Sequence, residues 1–403
     1  MSAEYETLKM TASAEAGSFV KTLQGATGVG FQEGTHVHKD WYAKTIGFDQ
    51  AMELAENAAR EREDLLPAVE DIHPKVNADG QFVFEIRERE FVPTDHALEQ
   101  FAIRVGVPSS SVMRELRAME GSDEVDADVM VRLAKNALRK VQVGKVFRLR
   151  TYTDGTCRAF VTEKYAPVDN RWYLEVLQEF LPSARLSHWR GDEDSMYGNL
   201  ILPDSVMDYS QSEDSDYGGM LSVGNCEIGT RVVSQRPSLF RSICMNGCIW
   251  GEVKGKRNKR RHVGVINLHS LKTEIGENIA LQLPLLETGV HKFLETQRLE
   301  IAATCAPIAV IGAICQEFKI GKTESKLVAA KWEAHESHQR NLFGVLNAIT
   351  RAGQELSNNQ WVQFDEVGGA LVGMQSDRWY SLLNKANTFT AEDFTKIFGT
   401  VAV

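Results

Sequence analysis

The sequence predicts an α+β fold, a mostly antiparallel sheet with a hairpin–helix–meander core flanked by N-terminal and C-terminal helical regions. Three observations predict it. Asp154-Gly155 sits between two strand-like runs, Val146–Tyr152 and Cys157–Thr162, which is a strong hairpin signal. A helical pattern over 171–181 follows, and then a series of short apolar runs separated by glycines and acidic loops. Apolar residues at helical spacing dominate before residue 144 and after residue 271.

Taken in order, residues 1–40 form a polar arm punctuated by Gly25, Gly28, Gly30 and Gly34 and ending in His36 and His38. The pattern over 48–66 is helical, and Pro67 and Pro74 bracket a loop. Phe82–Ile86 reads as a strand. Thr94 is an N-cap for a helix that Gly106 ends. Further helices are expected over 109–119 and, capped by Asp126, over 127–140. In the first hairpin strand Arg148 and Arg150 alternate with Phe147 and Leu149, so the arginines share a face. Asn170 is the expected N-cap of the helix that stops before Pro182. Strands are expected over 184–190, 197–202, 219–223, 227–233 and 239–244. Helices over 271–282, 288–299 and 324–352 follow, with short helices around Trp361 and Trp379. These divisions imply four segments: an arm and helix over 1–75, a helical subdomain over 76–143, an α+β core with a basic loop over 144–270, and a helical region over 271–403.

The 403 residues can bury a core without disulfides or metals. Six sparse cysteines, a polar start and the lack of a long apolar run imply a reduced, cytoplasmic chain with no membrane span. The formal net charge of −10 excludes a wholly basic nucleic-acid coat and leaves room for a local basic track. Charge is in fact uneven. Residues 191–220 carry eight Asp/Glu and no Lys/Arg, whereas residues 254–261 carry six Lys/Arg in eight positions.

That basic cluster, Lys254, Lys256, Arg257, Lys259, Arg260 and Arg261, is the leading candidate site. Several cations within reach of successive phosphates, beside aromatic residues such as Tyr152, Tyr165, Phe240 and Trp250, are what a single-strand binder needs. Residues 94–119 have helix-turn-helix spacing and would present Ser109, Ser110, Arg114 and Arg117 to a duplex. The acidic residues Asp192, Glu193, Asp194, Asp204, Asp208, Glu213, Asp214 and Asp216 could supply magnesium ligands, but they lie in a Ser/Gly/Tyr-rich stretch rather than on converging strands. Cys244 and Cys248, with Cys226 and His262, lack the paired spacing of structural zinc. Gly321-Lys322-Thr323 has the tail of a phosphate loop, but Gln316 stands where its first glycine belongs. No nucleophile elbow or metallopeptidase helix is present. The expectation is a protein with no catalytic residue, no metal and no cofactor.

Three segments carry a resemblance. Residues 156–170 (TCRAFVTEKYAPVDN), residues 222–251 (SVGNCEIGTRVV…LFRSICMNGCIWG) and residues 341–354 (NLFGVLNAITRAGQ) resemble a phage/plasmid-like family of unknown function found in prophages and conjugative plasmids. Cys226 stands where that family usually has serine. The order of elements also resembles the core of single-strand annealing recombination proteins, by analogy of topology alone. That resemblance implies a positively charged groove around a homo-oligomeric ring or filament, and ATP-independent annealing of single-stranded DNA. The groove residues it implies are Arg148, Arg150, Arg158, Lys164, Arg231, Arg241 and the 254–261 cluster. The expected function is therefore single-stranded DNA binding, annealing and homologous recombination for a phage or plasmid. The alternatives are a double-stranded DNA regulator using the helices of 94–119, or a metal-dependent nucleic-acid enzyme.

Overall fold

The computed structural model describes residues 45–59, 61–107, 110–118, 127–191, 196–203, 207–208, 216–229, 232–241, 246–249, 259–260, 262 and 266–399. The expected N-terminal arm therefore lies outside the described residues. The fold is α+β, as the sequence predicts, with strands divided between two sheets.

The first sheet has six strands in the order β1-β5-β6-β4-β3-β2. They are β1 (Arg62–Leu65), β2 (His73–Val76), β3 (Phe82–Ile86), β4 (Arg89–Pro93), β5 (Phe147–Tyr152) and β6 (Thr156–Thr162). All pairs are antiparallel except β4 and β6. The boundary expected near residue 144 thus runs through a sheet, because β5 and β6 insert between β1 and β4. Sequence pattern alone put 48–66 in one helix. The chain instead forms α1 (Phe48–Ala59) and then β1, whose charged Arg-Glu-Asp-Leu sequence lacks strand propensity but places Asp64 across from Arg150 of β5.

Helices α2 (Asp95–Val105), α3 (Ser110–Ala118) and α4 (Ala127–Leu138) pack with this sheet. Thr94 accepts a hydrogen bond from the Ala97 N–H, and Gly106 terminates α2 with a left-handed φ of 79°. The core between them is aromatic. Phe84, Phe101, Phe147 and Phe160 are fully buried, with neighbouring ring centroids 4.9–5.6 Å apart. In the β5–β6 turn, Asp154 accepts the Thr156 N–H at 2.8 Å and Gly155 takes φ 82°, as the Asp-Gly signal requires.

After β6 comes α5 (Asn170–Phe180), whose N-cap is Asp169 rather than the expected Asn170. The second sheet follows, in the order β12-β11-β10-β8-β7, with β9 paired to β10 and β13 to β11. Its strands are β7 (Arg185–Gly191), β8 (Met196–Ile201), β9 (Met207–Asp208), β10 (Asp216–Asn225), β11 (Val233–Arg241), β12 (Asn246–Ile249) and β13 (Lys259–Arg260). Of the strand expected over 227–233, the described residues 227–229 form a bend instead and Val233 opens β11. The hairpin and the meander therefore occupy different sheets.

One face of the second sheet, including Leu200, Leu221, Val223 and Leu239, joins a core with Ile279, Leu283 and Leu286 of α6 (Leu268–Glu295). The two helices expected over 271–299 are this single helix, with Pro284 inside it. The helical region continues with α7 (Pro307–Glu317), α8 (Lys322–Lys331), a π-turn at Trp332–Glu336, α9 (Leu342–Gly353), α10 (Asn358–Val372), α11 (Ser376–Ala386) and α12 (Ala391–Phe398). No helix among the described residues is long and apolar enough to cross a membrane.

Close approach of α6 to α5 depends on Gly276, because a Cβ there would collide with the Phe180 ring. Gly276→Ala is expected to lower stability by about 1–3 kcal/mol through overpacking. Thermal or denaturant unfolding would show this, and adding Phe180→Leu should recover part of the loss.

Candidate nucleic-acid interface

The expected arginine face exists, and its register explains its composition. Directly opposed residues share a sheet face. Arg62 opposes Tyr152, Asp64 opposes Arg150, Arg150 opposes Ala159 and Arg148 opposes Val161. Arg158 stacks on Tyr152, its guanidinium 3.9 Å from the ring centroid. Arg62, Arg148, Arg150 and Arg158 therefore line the side of the first sheet remote from the phenylalanine core.

This face is not an open cationic track. Arg150 is 2% exposed. Its Nε and Nη2 donate to the two Asp64 oxygens at 2.8 and 3.0 Å, and its Nη1 donates to the Glu227 carbonyl at 2.8 Å. Arg148 donates to Asp64 at 3.0 Å. Arg62 donates to Glu227 at 2.6 Å and pairs with Asp169 at 3.0 Å. Arg158 lies 3.9 Å from Asp154. Each of these arginines thus meets a carboxylate. Burial disfavours the charge of Arg150, but the hydrogen bonds and attraction of Asp64 outweigh it and raise its pKa. Burial likewise works to raise the Asp64 pKa, and its two arginines bring it below the ordinary carboxylate value.

Loop 226–229, leaving β10, covers this face. Cys226 and Ile228 pack with Ala159, Val161 and Tyr165. The Ile228 carbonyl accepts from Gln100 Nε2 at 2.8 Å, the Cys226 carbonyl accepts from the Tyr165 hydroxyl at 3.2 Å, and Glu227 accepts the Asn170 N–H at 2.8 Å. Gly229, at φ 90°, lets the chain turn against the Tyr165 ring.

The basic cluster meets this junction from the second sheet. β10 occupies one side of β11, and both β12 and β13 pair along the other. Ile249 of β12 and Lys259 of β13 both lie along that edge, Lys259 opposite Ser234. Arg260 then opposes Val233, and His262 follows two residues later. The His262 ring stacks on Tyr165 at 5.4 Å and 14°. Its Nδ1 lies 3.2 Å from the Ala166 carbonyl, and its own carbonyl accepts the Ala166 N–H at 3.2 Å. Lys164, exposed, immediately precedes that tyrosine in sequence.

Of the expected groove residues, the structure therefore places Lys164 in solvent beside the anchor of the basic segment, and β13 supplies the backbone of Lys259 and Arg260. Arg148, Arg150 and Arg158 sit together but are matched by carboxylates. Arg241 is a correction of another kind: it is buried, donating to Glu336 at 3.1 Å, and Glu336 also accepts from Arg351 at 3.3 Å, so it serves the helical region instead. Arg231, Lys254, Lys256, Arg257 and Arg261 lie outside the described residues, as do Cys244 and most of the acidic stretch. The side chains of Arg114 and Arg117 on α3 lie outside them as well. Cys248 is buried with its thiol pKa raised by desolvation. Gly321 precedes a helix that follows α7 rather than a strand. Among the described residues no three His, Cys, Asp or Glu side chains converge as metal ligands.

Sequence pattern does not single out Asp64, Glu227 or His262 as parts of this junction, which only pairing across the fold reveals. One further run does carry a plain signal beside the basic cluster: residues 129–153 hold seven Lys/Arg and no Asp/Glu. Comparison of the chain with protein-family models, with curated proteins and with solved structures found no match.

Two outcomes follow from the junction. Asp64→Ala leaves a buried guanidinium without its main partner and is expected to cost about 3 kcal/mol, measured by denaturant unfolding. His262 is held neutral: burial lowers its pKa to about 4, the Ala166 carbonyl opposes this and Arg150 adds to it. A folded pKa below the unfolded value near 6.5 means the unfolded chain takes up the proton first. Stability is therefore full above about pH 6.5 and is lost as pH falls toward 4, by up to about 3 kcal/mol. His262→Phe should flatten that part of the pH–stability curve.

Proposed function

We propose that the chain binds single-stranded nucleic acid through phosphate contacts, and that it anneals complementary strands for a phage or plasmid without a nucleotide cofactor. The observation that carries the reading is the attachment of the 254–261 segment. Six of its eight residues are cations, in a chain of net charge −10. Lys259 and Arg260 pair along the same edge of β11 as β12, and His262, just past the segment, stacks on Tyr165 and bonds the Ala166 backbone beside exposed Lys164. A dense cationic segment pinned at its end to a sheet edge suits a polyanion whose bases need not be read. The neutralised arginine face supports a narrower binding surface than the full expected groove. The three segments resembling the phage/plasmid-like family support the choice of biological setting.

The test compares a labelled single-stranded oligonucleotide with its duplex at low and moderate salt. We expect tight, salt-sensitive binding with preference for the single strand. Changing Lys254, Lys256, Arg257, Lys259, Arg260 and Arg261 to glutamine should weaken it at least about tenfold. The salt dependence should flatten by about 0.7 log units for each phosphate no longer neutralised. Annealing of complementary strands without ATP is the next readout. Absence of binding at low salt would overturn the reading.

A further inference from the structure

Helix α4 carries a second cationic surface. Arg132 and Lys135 lie one turn apart on the helix, and Arg139, just past its end with its N–H still bonded to the Lys135 carbonyl, continues their stripe, about 10 Å long. Lys140 and Lys145 extend it beyond the helix end, and all five are exposed. None of the five has an ion-pair partner among the described residues. The opposite side of α4, Met130, Val131, Ala134, Ala137 and Leu138, is buried in the core of the first sheet. The helix dipole favours a cation or two near the C-terminus. It does not call for five across a run of 25 residues without a single acid, within an acidic chain. Asp128, exposed in the first turn of α4, bounds this run one turn before Arg132, while Glu120, Asp123, Glu124 and Asp126 precede the helix and lie outside the described residues.

The placement of the stripe is as informative as its charge. Helix α4 packs on β2 and β3 and shares one core with Phe147, Leu149 and Phe160, on one face of the first sheet. Loop 226–229, Tyr165 and His262, where the basic segment is anchored, lie with Ala159 and Val161 on the other. A sheet and its packed helix separate the two surfaces.

We propose that the α4 stripe, with Lys140 and Lys145, binds the sugar-phosphate backbone of a second nucleic-acid strand while the basic segment holds the first. This rests on the reading above and gives it a mechanism for bringing two strands to one molecule. Charge complementarity selects the occupant, because unpaired cations at helical spacing meet successive phosphates without reading sequence.

The experiment immobilises one single-stranded oligonucleotide, adds protein, and measures capture of a second, labelled, non-complementary strand. The variant carries Arg132→Gln, Lys135→Gln, Arg139→Gln and Lys140→Gln, exposed changes that keep helix propensity. We expect first-strand affinity within about twofold of the unaltered protein and second-strand capture at least about tenfold lower. Capture unchanged in the variant would overturn the proposal while leaving single-strand binding intact. Equal loss of first-strand binding would also overturn it, by showing one continuous track. So would self-association of the nucleic-acid-free protein that the variant abolishes, which would assign the stripe to an acidic surface of a second copy. Failure of the unaltered protein to bind any strand would instead remove the underlying reading.

Discussion

The buried charge of Arg150 is the constraint on which the junction of the molecule depends. A guanidinium out of water must be matched nearly completely, or its desolvation outweighs what it gains. Asp64 supplies a bidentate carboxylate from the neighbouring strand and the Glu227 carbonyl supplies a third acceptor from the loop leaving β10. Glu227 in turn holds Arg62 and the first N–H of α5. One buried cation thereby links the first sheet, the helix after it and the second sheet. The charged sequence of β1 makes sense in this light: its strand conformation is imposed by the partner it must meet.

The second sheet shows the same principle at larger scale. Its α6-facing side is mainly apolar, with Gln235 bonded to the Tyr173 hydroxyl, while its other side carries a row of buried polar residues in register, Asn199 across from Ser222 and Ser222 across from Arg236. Ser222 donates to Asn199 at 2.7 Å, Arg236 pairs with Glu366, and the Tyr197 hydroxyl lies 2.8 Å from Asp365. Burial raises the Asp365 pKa well above the ordinary carboxylate value, against the Tyr197 hydrogen bond and the attraction of Arg236. Gly224 matters locally because a larger residue would press on the Ser234 hydroxyl, with the Tyr197 ring close by. Such networks specify one arrangement of helix α10 on the sheet.

Cations in this protein fall into two classes with different consequences. Those on the first sheet's arginine face and Arg241 are consumed in ion pairs that organise the fold. Lys164 and the α4 stripe remain in solvent. Counting basic residues along the chain cannot separate the two, since matched and unmatched arginines look alike until their neighbours are known. The surface proposed on α4 follows from the unmatched class.

Much was legible from local chemistry. Helix α2 with its Thr94 cap and Gly106 stop, strand β3, the Asp-Gly hairpin and the shared face of Arg148 and Arg150 all follow from periodicity, capping and turn preference, which act within a few residues. The α+β class with mainly antiparallel pairing follows from the order of those elements. Tertiary structure alone decided that the hairpin and the meander lie in separate sheets, that β1 is a strand, and that Arg150 is paired rather than free. Those outcomes turn on contacts between residues 77 to 165 positions apart, such as Arg150 with Glu227 and Arg62 with Glu227, and on the cost of leaving a buried charge unmatched. No pattern within a short window carries that information.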